Sequence, residues 1–245
     1  MQPILALWTT PRSTSTAFEL MMRQRGDLEV AHEPFARDYY YGSNRRCTRP
    51  ATVDPKPEHL FSAICCQLKE QAERRPLFLK DMAYHVRHHI GEPLLKTMLH
   101  SFLIRDPAKA LPSLFARMPD FSYEEAGYEA LEEMVDYATT LSGKAPVVID
   151  SDDLISHPSA LVEAWCKALD IPFMAAALNW QAGLPKEMVY WEEGTWHKHL
   201  QATTGFQEQQ NRNYPSVDEE PRLKAAYERC QPIYARLRAL KLQLC

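Results

Sequence analysis

The chain has 245 residues, 45% of them hydrophobic and 24% charged, and a formal net charge of −4. A chain of this length buries a full core without disulfides or a structural metal, which excludes a disordered tail or a fibre. Eight Gly against 18 Pro argue against an all-β chain of tight hairpins, and the acidic balance lacks the basic footprint of a nucleic-acid binder.

Ile4–Trp8 is a short apolar run, followed by polar Thr9-Thr10-Pro11-Arg12-Ser13-Thr14-Ser15-Thr16. Ala17 to Arg25 is a strong helix former that Gly26 ends. That order predicts strand, polar turn, helix. Leu28–Ala31 predicts a second strand, running into His32-Glu33-Pro34-Phe35, and a loop with Tyr39, Tyr40 and Tyr41 follows. Glu58–Arg75 predicts a helix with Leu60, Phe61, Ile64 and Leu68 on one face, broken by Pro76.

Leu77–Leu79 starts a third strand that ends at Lys80-Asp81. Val86–His100 predicts a helical segment interrupted around Gly91-Glu92-Pro93. Ser101–Ile104 is the fourth predicted strand, then Arg105-Asp106-Pro107 and a helix from Ala108 to Arg117, its Pro suited to the first turn. Tyr123–Leu141 predicts one long amphipathic helix, Val147–Ile149 a fifth strand, and Pro158–Leu169 and Glu219–Leu242 two more helices. Asn179–Pro215 has little periodicity and reads as a long loop of the kind that is often functional.

Aliphatic strands that alternate with helices predict an α/β fold. We expect a three-layer sandwich with a mainly parallel central sheet, in one domain over residues 1–245. Ligands of such sheets bind at the carboxyl ends of the strands. The candidate residues fall there: Pro11–Thr16 after the first strand, Glu33 after the second, Lys80-Asp81 after the third and Arg105 after the fourth.

Pro11, Arg12, Ser13, Thr14, Ser15 and Thr16 combine hydroxyls, helix-start N–H groups and a guanidinium fork that fits phosphate or sulfate. This is an anion cradle without the GxxxxGK[ST] pattern or its lysine. Arg105 and Ser113 offer a second anion site. The stretch from Lys80 to Arg117 is locally basic and Asp120–Asp136 is acidic without Lys or Arg. Such a division suits a small anionic ligand better than a polymer.

Cys47, Cys65, Cys66, Cys166, Cys230 and Cys245 form no CxxC pair and no zinc spacing, so they read as reduced thiols, with Cys65 and Cys66 filling core space. His85, His88 and His89 suggest a shared helix face, but no HExxH pattern occurs and no metal is expected. There is no basic leader and no apolar run near the roughly 20 residues that span a bilayer. A soluble, cytoplasmic protein with no membrane or nucleic-acid partner is expected, and a homodimer is left open.

The strand–PRSTST–helix opening resembles the 5′-phosphosulfate loop of the sulfotransferase superfamily. Phe102-Leu103-Ile104-Arg105-Asp106-Pro107 with Ser113 is similar to that family's 3′-phosphate motif, including the Arg-to-Ser spacing. Val148–Leu154, Pro158 and Ile171-Pro172-Phe173 resemble its "YEDL…P…LGIPF" segment, and Gly194–Leu200 its late "GDWKNHF" segment. The resemblance covers most of residues 3–200.

It implies a P-loop NTPase-like fold and transfer of a sulfuryl group from 3′-phosphoadenosine 5′-phosphosulfate to a hydroxyl or amine of a small-molecule acceptor, without a metal. It also implies donor contacts from Pro11, Arg12, Ser13, Thr14, Ser15, Thr16, Arg105, Ser113, Trp196 and Lys198, with Arg12 stabilising the departing phosphate. The family's "RKG" is replaced by Glu192-Glu193-Gly194.

In the cytosolic branch the base is the His of a "KTH" motif. Here the chain reads Lys80-Asp81-Met82, and Met82 stands in the His position. Other members place a Glu just after the second strand, which matches Glu33. Glu33 is therefore the expected base, with Asp81 and His85 behind it. Two rivals remain: a small-molecule or nucleotide kinase of related fold, and a non-catalytic nucleotide-binding protein.

Overall fold

A computed structural model describes residues 1–47, 54–189, 200–207 and 214–244. Its sheet has five strands: β1 (Ile4–Thr9), β2 (Glu29–His32), β3 (Leu77–Met82), β4 (Met98–Ile104) and β5 (Val147–Asp150). They run all parallel in the order β2-β3-β1-β4-β5. β1 is buried along its whole length, as an uninterrupted aliphatic run must be when both sheet faces are covered.

Side chains alternate between the two faces. Ile4, Ala6, Trp8, Leu79 and Phe102 pack under α3 (Phe61–Arg74), α5 (Pro107–Phe115), α7 (Tyr128–Ser142) and α10 (Pro221–Ala239). Leu5, Leu7, Phe78, Leu103 and Ile149 pack on the other side against α1 (Ser15–Arg25) and α9 (Pro158–Ala168). The expected three layers and parallel sheet are present. Phe18, Phe78 and Trp165 anchor the second layer, with the Phe18 and Trp165 ring centroids 5.0 Å apart, edge to face. Truncating a buried Trp of this kind costs about 3–5 kcal/mol.

The chain leaves β1 towards one edge of the sheet and leaves β4 towards the other. The carboxyl ends of these neighbouring strands therefore border a topological switch point, where α/β sheets hold ligands.

Several predicted elements differ. Val86–His100 is not helical. The short α4 (Ala83–Val86) is followed by 3₁₀ turns at Arg87–His89 and Leu95–Thr97, and β4 already begins at Met98. β4 must match β1, pairing Ile4 with Met98 through Thr9 with Leu103, so sheet pairing overrides local propensity. Tyr123–Leu141 is broken at Gly127 (φ 84°) into α6 (Tyr123–Ala126) and α7. A reciprocal cap between Ser122 and Glu125 starts α6.

Cys66 is exposed while Cys65 is buried, because consecutive helix positions point about 100° apart. α2 (Ala36–Tyr41) and α8 (Ser151–Ser156) are short helices that follow the β2 and β5 ends. The stretch read as a loop from Asn179 contains a 3₁₀ turn at Lys186–Val189 and a buried Trp180.

Candidate active site

The β1–α1 loop is shaped by two non-glycine residues in the left-handed region, Arg12 (φ 63°) and Thr14 (φ 71°). Each costs about 1–2 kcal/mol, and such strain gathers at functional loops. Left-handed turns of this kind bring successive N–H groups into a concave, anion-attracting array. Ser13 is fully buried and donates to the Thr10 carbonyl at 2.7 Å, while the Thr9 hydroxyl bonds to Ser13. Thr14 and Ser151 hydroxyls meet at 2.6 Å, tying the loop to the start of α8. Thr14 provides no side-chain cap to α1, so the first-turn N–H groups of that helix keep their affinity for an anion. Ser15 and Thr16 are buried in that first turn.

Arg105 and Ser113, the expected second anion site, do not bond to each other but each bonds to Arg12. Ser113, two turns into α5, accepts from Arg12 Nε at 2.9 Å. Arg105, at the end of β4, donates from its terminal nitrogen to the Arg12 carbonyl at 2.6 Å. The Arg105 Nε is buried with no hydrogen-bond partner. An orphaned buried guanidinium donor is the donor chemistry that a phosphate ligand would satisfy. The two predicted anion sites thus interlock at the switch point through Arg12.

β3 lies beside β1, pairing Trp8 with Asp81. The strand places Lys80 towards α1 and Asp81 towards the opposite face. Glu33 sits just beyond β2 with φ 41°, its N–H bonded to the Lys80 carbonyl at 2.9 Å. Its carboxylate forms an ion pair with the fully buried Lys80 ammonium. The ion-pair partners of Lys80 are Glu33 and Glu19, the latter at 3.7 Å.

Glu19, on α1, also takes His32 Nδ1 at 2.7 Å and a two-nitrogen contact from Arg23 at 2.9 and 3.1 Å. Burial by itself raises the pKa of such carboxyls. His32, Lys80 and Arg23 outweigh it and hold Glu19 at about 2. Glu33 is only partly exposed, and against the upward push of that burial Lys80, His32 and His85 hold it far below the usual carboxylate range. Burial also opposes the charge on Lys80, but Glu33 and Glu19 raise its pKa.

On the other face of β3, Asp81 is fully buried and accepts from the Phe35 N–H at 2.7 Å and the Met82 N–H at 2.8 Å. Its Oδ1 also meets His85 Nδ1 at 2.6 Å. The opposite ring nitrogen, Nε2, is buried and has no hydrogen-bond partner. Rings of Tyr39 and Tyr84 pack on His85 with centroids 5.2 and 4.3 Å away, and the Tyr40 and Tyr84 hydroxyls bond at 2.9 Å. Burial raises both of those phenols well above 10.

His85, His88 and His89 do not share a face. His89 stacks on Phe61 with centroids 3.8 Å apart and contacts Asp38, whereas His88 lies 3.5 Å from Glu124. Among the described residues no group of three or more His, Cys, Asp or Glu side chains is placed to hold a metal. Among them, too, no helix is long and apolar enough to cross a membrane. Trp191, Trp196 and Lys198 lie outside the described residues.

A family model described as a sulfotransferase domain matches residues 2–239. The chain belongs to the sulfotransferase domain family. Its structure is similar to the sulfotransferase domain from the Synechococcus PCC 7002 olefin synthase, with a TM-score of 0.52 at 19% identity, over 96% of this chain and 94% of that one. That likeness is one of fold.

Two curated Arabidopsis thaliana relatives are 29% identical. The branched-chain-amino-acid aminotransferase-like protein 2 matches over 96% of this chain and 41% of its own length; protein 1 matches over 83% and 36%. The chain thus spans about two fifths of the length of the curated relatives it matches.

Two residues of this candidate site, Glu19 and Tyr128, belong to none of the sequence motifs. Glu19 has the i,i+4 spacing to Arg23 of an ordinary surface pair, yet it is fully buried, and its neighbours Phe18, Met21 and Met22 are all core. Tyr128 follows the glycine that breaks the helix, and an isolated Gly within a helical pattern was the available signal.

Proposed function

We propose that this sulfotransferase moves a sulfuryl group from 3′-phosphoadenosine 5′-phosphosulfate to a hydroxyl or amine of a small-molecule acceptor. The observation that supports this reading is that the two candidate anion loops meet at one switch point, interlocked through Arg12, with the Arg105 Nε buried and unpartnered. A donor with phosphate at two ends needs two such places.

The β1–α1 loop and the α1 N-terminus hold the 5′ end, and Arg105 with Ser113 holds the 3′-phosphate. Arg12 lies between them, where its charge opposes the negative charge that grows on the leaving phosphate. When bound, the donor supplies the sulfuryl group, and its transfer leaves the 3′,5′-bisphosphate.

His85 takes the acceptor's proton on Nε2. Asp81 receives the Nδ1–H, fixes that tautomer and stabilises the imidazolium that forms. Glu33 was the expected base. Its ion pair with Lys80 holds it far below the usual carboxylate range, which makes it a weak proton acceptor. It serves instead to neutralise and place Lys80 beside the cradle.

The test is ligand stabilisation followed by transfer. 3′-Phosphoadenosine 5′-phosphate is expected to raise Tm well beyond Mg-ATP, by an amount that corresponds to about 2.7 kcal/mol at a hundredfold excess over Kd. Radiolabelled donor is then offered with a panel of alcohols, phenols and amines. A larger shift with Mg-ATP, or no transfer to any acceptor class, overturns the reading.

A further inference from the structure

Tyr128 opens α7 and is almost fully buried. Its hydroxyl donates to the Arg105 carbonyl at 2.7 Å. Arg105 donates to the Arg12 carbonyl at 2.6 Å, and Arg12 Nε donates to Ser113 at 2.9 Å. One run of hydrogen bonds therefore joins α7, the end of β4, the β1–α1 loop and α5. Burial raises the phenol's pKa well above 10, so Tyr128 remains a donor across the working pH range.

The residue before it presses on the same loop. Gly127 has φ 84°, and a Cβ there would stand 3.1 Å from Pro11 Cδ and 3.5 Å from Thr10 Cα. A side chain there would push Pro11 aside by a few tenths of an ångström and would be strained by the positive φ. The break at Gly127 thus does two things: it lets the chain approach the first anion loop, and it turns Tyr128 towards the second.

We propose that the Gly127–Tyr128 junction is a clasp that sets the spacing of the two anion loops, with Tyr128 as the positioning residue for the 3′-phosphate end. This rests on the donor reading above. The Tyr128 hydroxyl bonds the backbone of Arg105 and lies beside the Thr10 side chain of the β1–α1 loop, so it acts through the loops and not on the ligand. Without the phenol the Arg105 carbonyl loses its donor, and the loop that carries the guanidinium relaxes. The 5′ end is held by the α1 N-terminus as well as by the β1–α1 loop, and changes less.

The experiment compares wild type, Tyr128→Phe and Gly127→Ala by calorimetric binding of adenosine 3′,5′-bisphosphate and of 5′-AMP, with Tm recorded for each. Wild type is expected to prefer the bisphosphate. Tyr128→Phe is expected to lower that preference on the order of fivefold, the effect of one lost hydrogen bond, while 5′-AMP binding stays within about twofold. A merely structural role would lower Tm and weaken both nucleotides alike, which overturns the proposal; so does an unchanged preference.

Gly127→Ala displaces Pro11 and not Arg105, so it is expected to weaken both nucleotides together. Wild-type binding of both by that variant also overturns the clasp. A wild type that shows no preference for the bisphosphate overturns the donor reading itself, and with it the proposal.

Discussion

The two ends of the site are built by opposite means. At the β1–β4 end, Arg12 and Arg105 are held by a backbone carbonyl and a hydroxyl. The loop around them is shaped by main-chain torsions and by the hydrogen bonds of Ser13 and Thr14. At the β2–β3 end, buried carboxylates organise the contacts: Glu19 and Glu33 pair with Lys80, Glu19 also with Arg23, and His32 and His85 hydrogen-bond to Glu19 and Asp81. A ligand of fixed negative charge needs fixed N–H dipoles and cations, which a loop supplies. A proton must find a group whose affinity is tuned, and that tuning depends on neighbours from several elements.

The largest expected effect falls on the proton end. His85→Ala should lower kcat by about 10²–10⁴-fold, with adenosine 3′,5′-bisphosphate affinity near wild type. Steady-state kinetics beside calorimetry separates the two. Should Glu33→Gln show that loss while His85→Ala turns over normally, the roles at this end are reversed and Glu33 is the base.

Glu19→Ala tests whether the same end is held by charge. It leaves Lys80, His32 and Arg23 around an emptied buried position, and breaking a buried pair in this way costs about 3–5 kcal/mol. Urea denaturation measures it. The sign with pH follows from the lowered pKa. The ionised carboxylate of Glu19 contributes its full stability above the ordinary value near 4.5, and loses it as pH falls towards about 2. Wild-type stability should drop through that window, and Glu19→Gln should flatten the drop. A wild-type profile level from pH 5 to 2.5 would refute it.

Arg105→Ala tests the anion end. It should weaken the bisphosphate by roughly 10- to 100-fold, the range for a hydrogen bond to a charged group. The pH profile of kcat should keep its shape, because no group at the proton end is disturbed. A displaced profile would mean that the two ends are coupled and the contrast between them is false.

The smallest effect serves as the control for buried charge. Arg236 on α10 pairs with Glu132 and Asp136 on α7, but it is 45% exposed. Arg236→Ala should cost less than about 1 kcal/mol by urea denaturation. A cost as large as that of Glu19→Ala would remove burial as the reason for the difference.

The anion cradle was legible because it is local. Strand, Pro11-Arg12-Ser13-Thr14, helix is a contiguous signal, and Arg105 and Ser113 are linked by helical spacing. The five strands were found for the same reason, although β4 begins three residues before the predicted start because pairing with β1 sets its length. What the chain alone could not say is which of these residues bond to one another. Ser113 pairs with Arg12, 101 positions away, and Lys80 with Glu33, 47 positions away.

The sequence by itself therefore determined the layers, the order of the elements and the edge of the sheet on which the chemistry gathers, because these follow from hydrophobic periodicity and short motifs. Only the tertiary structure decided the burial and bonding of each group. Glu33 became an ion-pair partner, His85 acquired an oriented ring with an unpartnered nitrogen, and Gly127 became a contact of the cradle, because burial and the approach of distant elements set those properties.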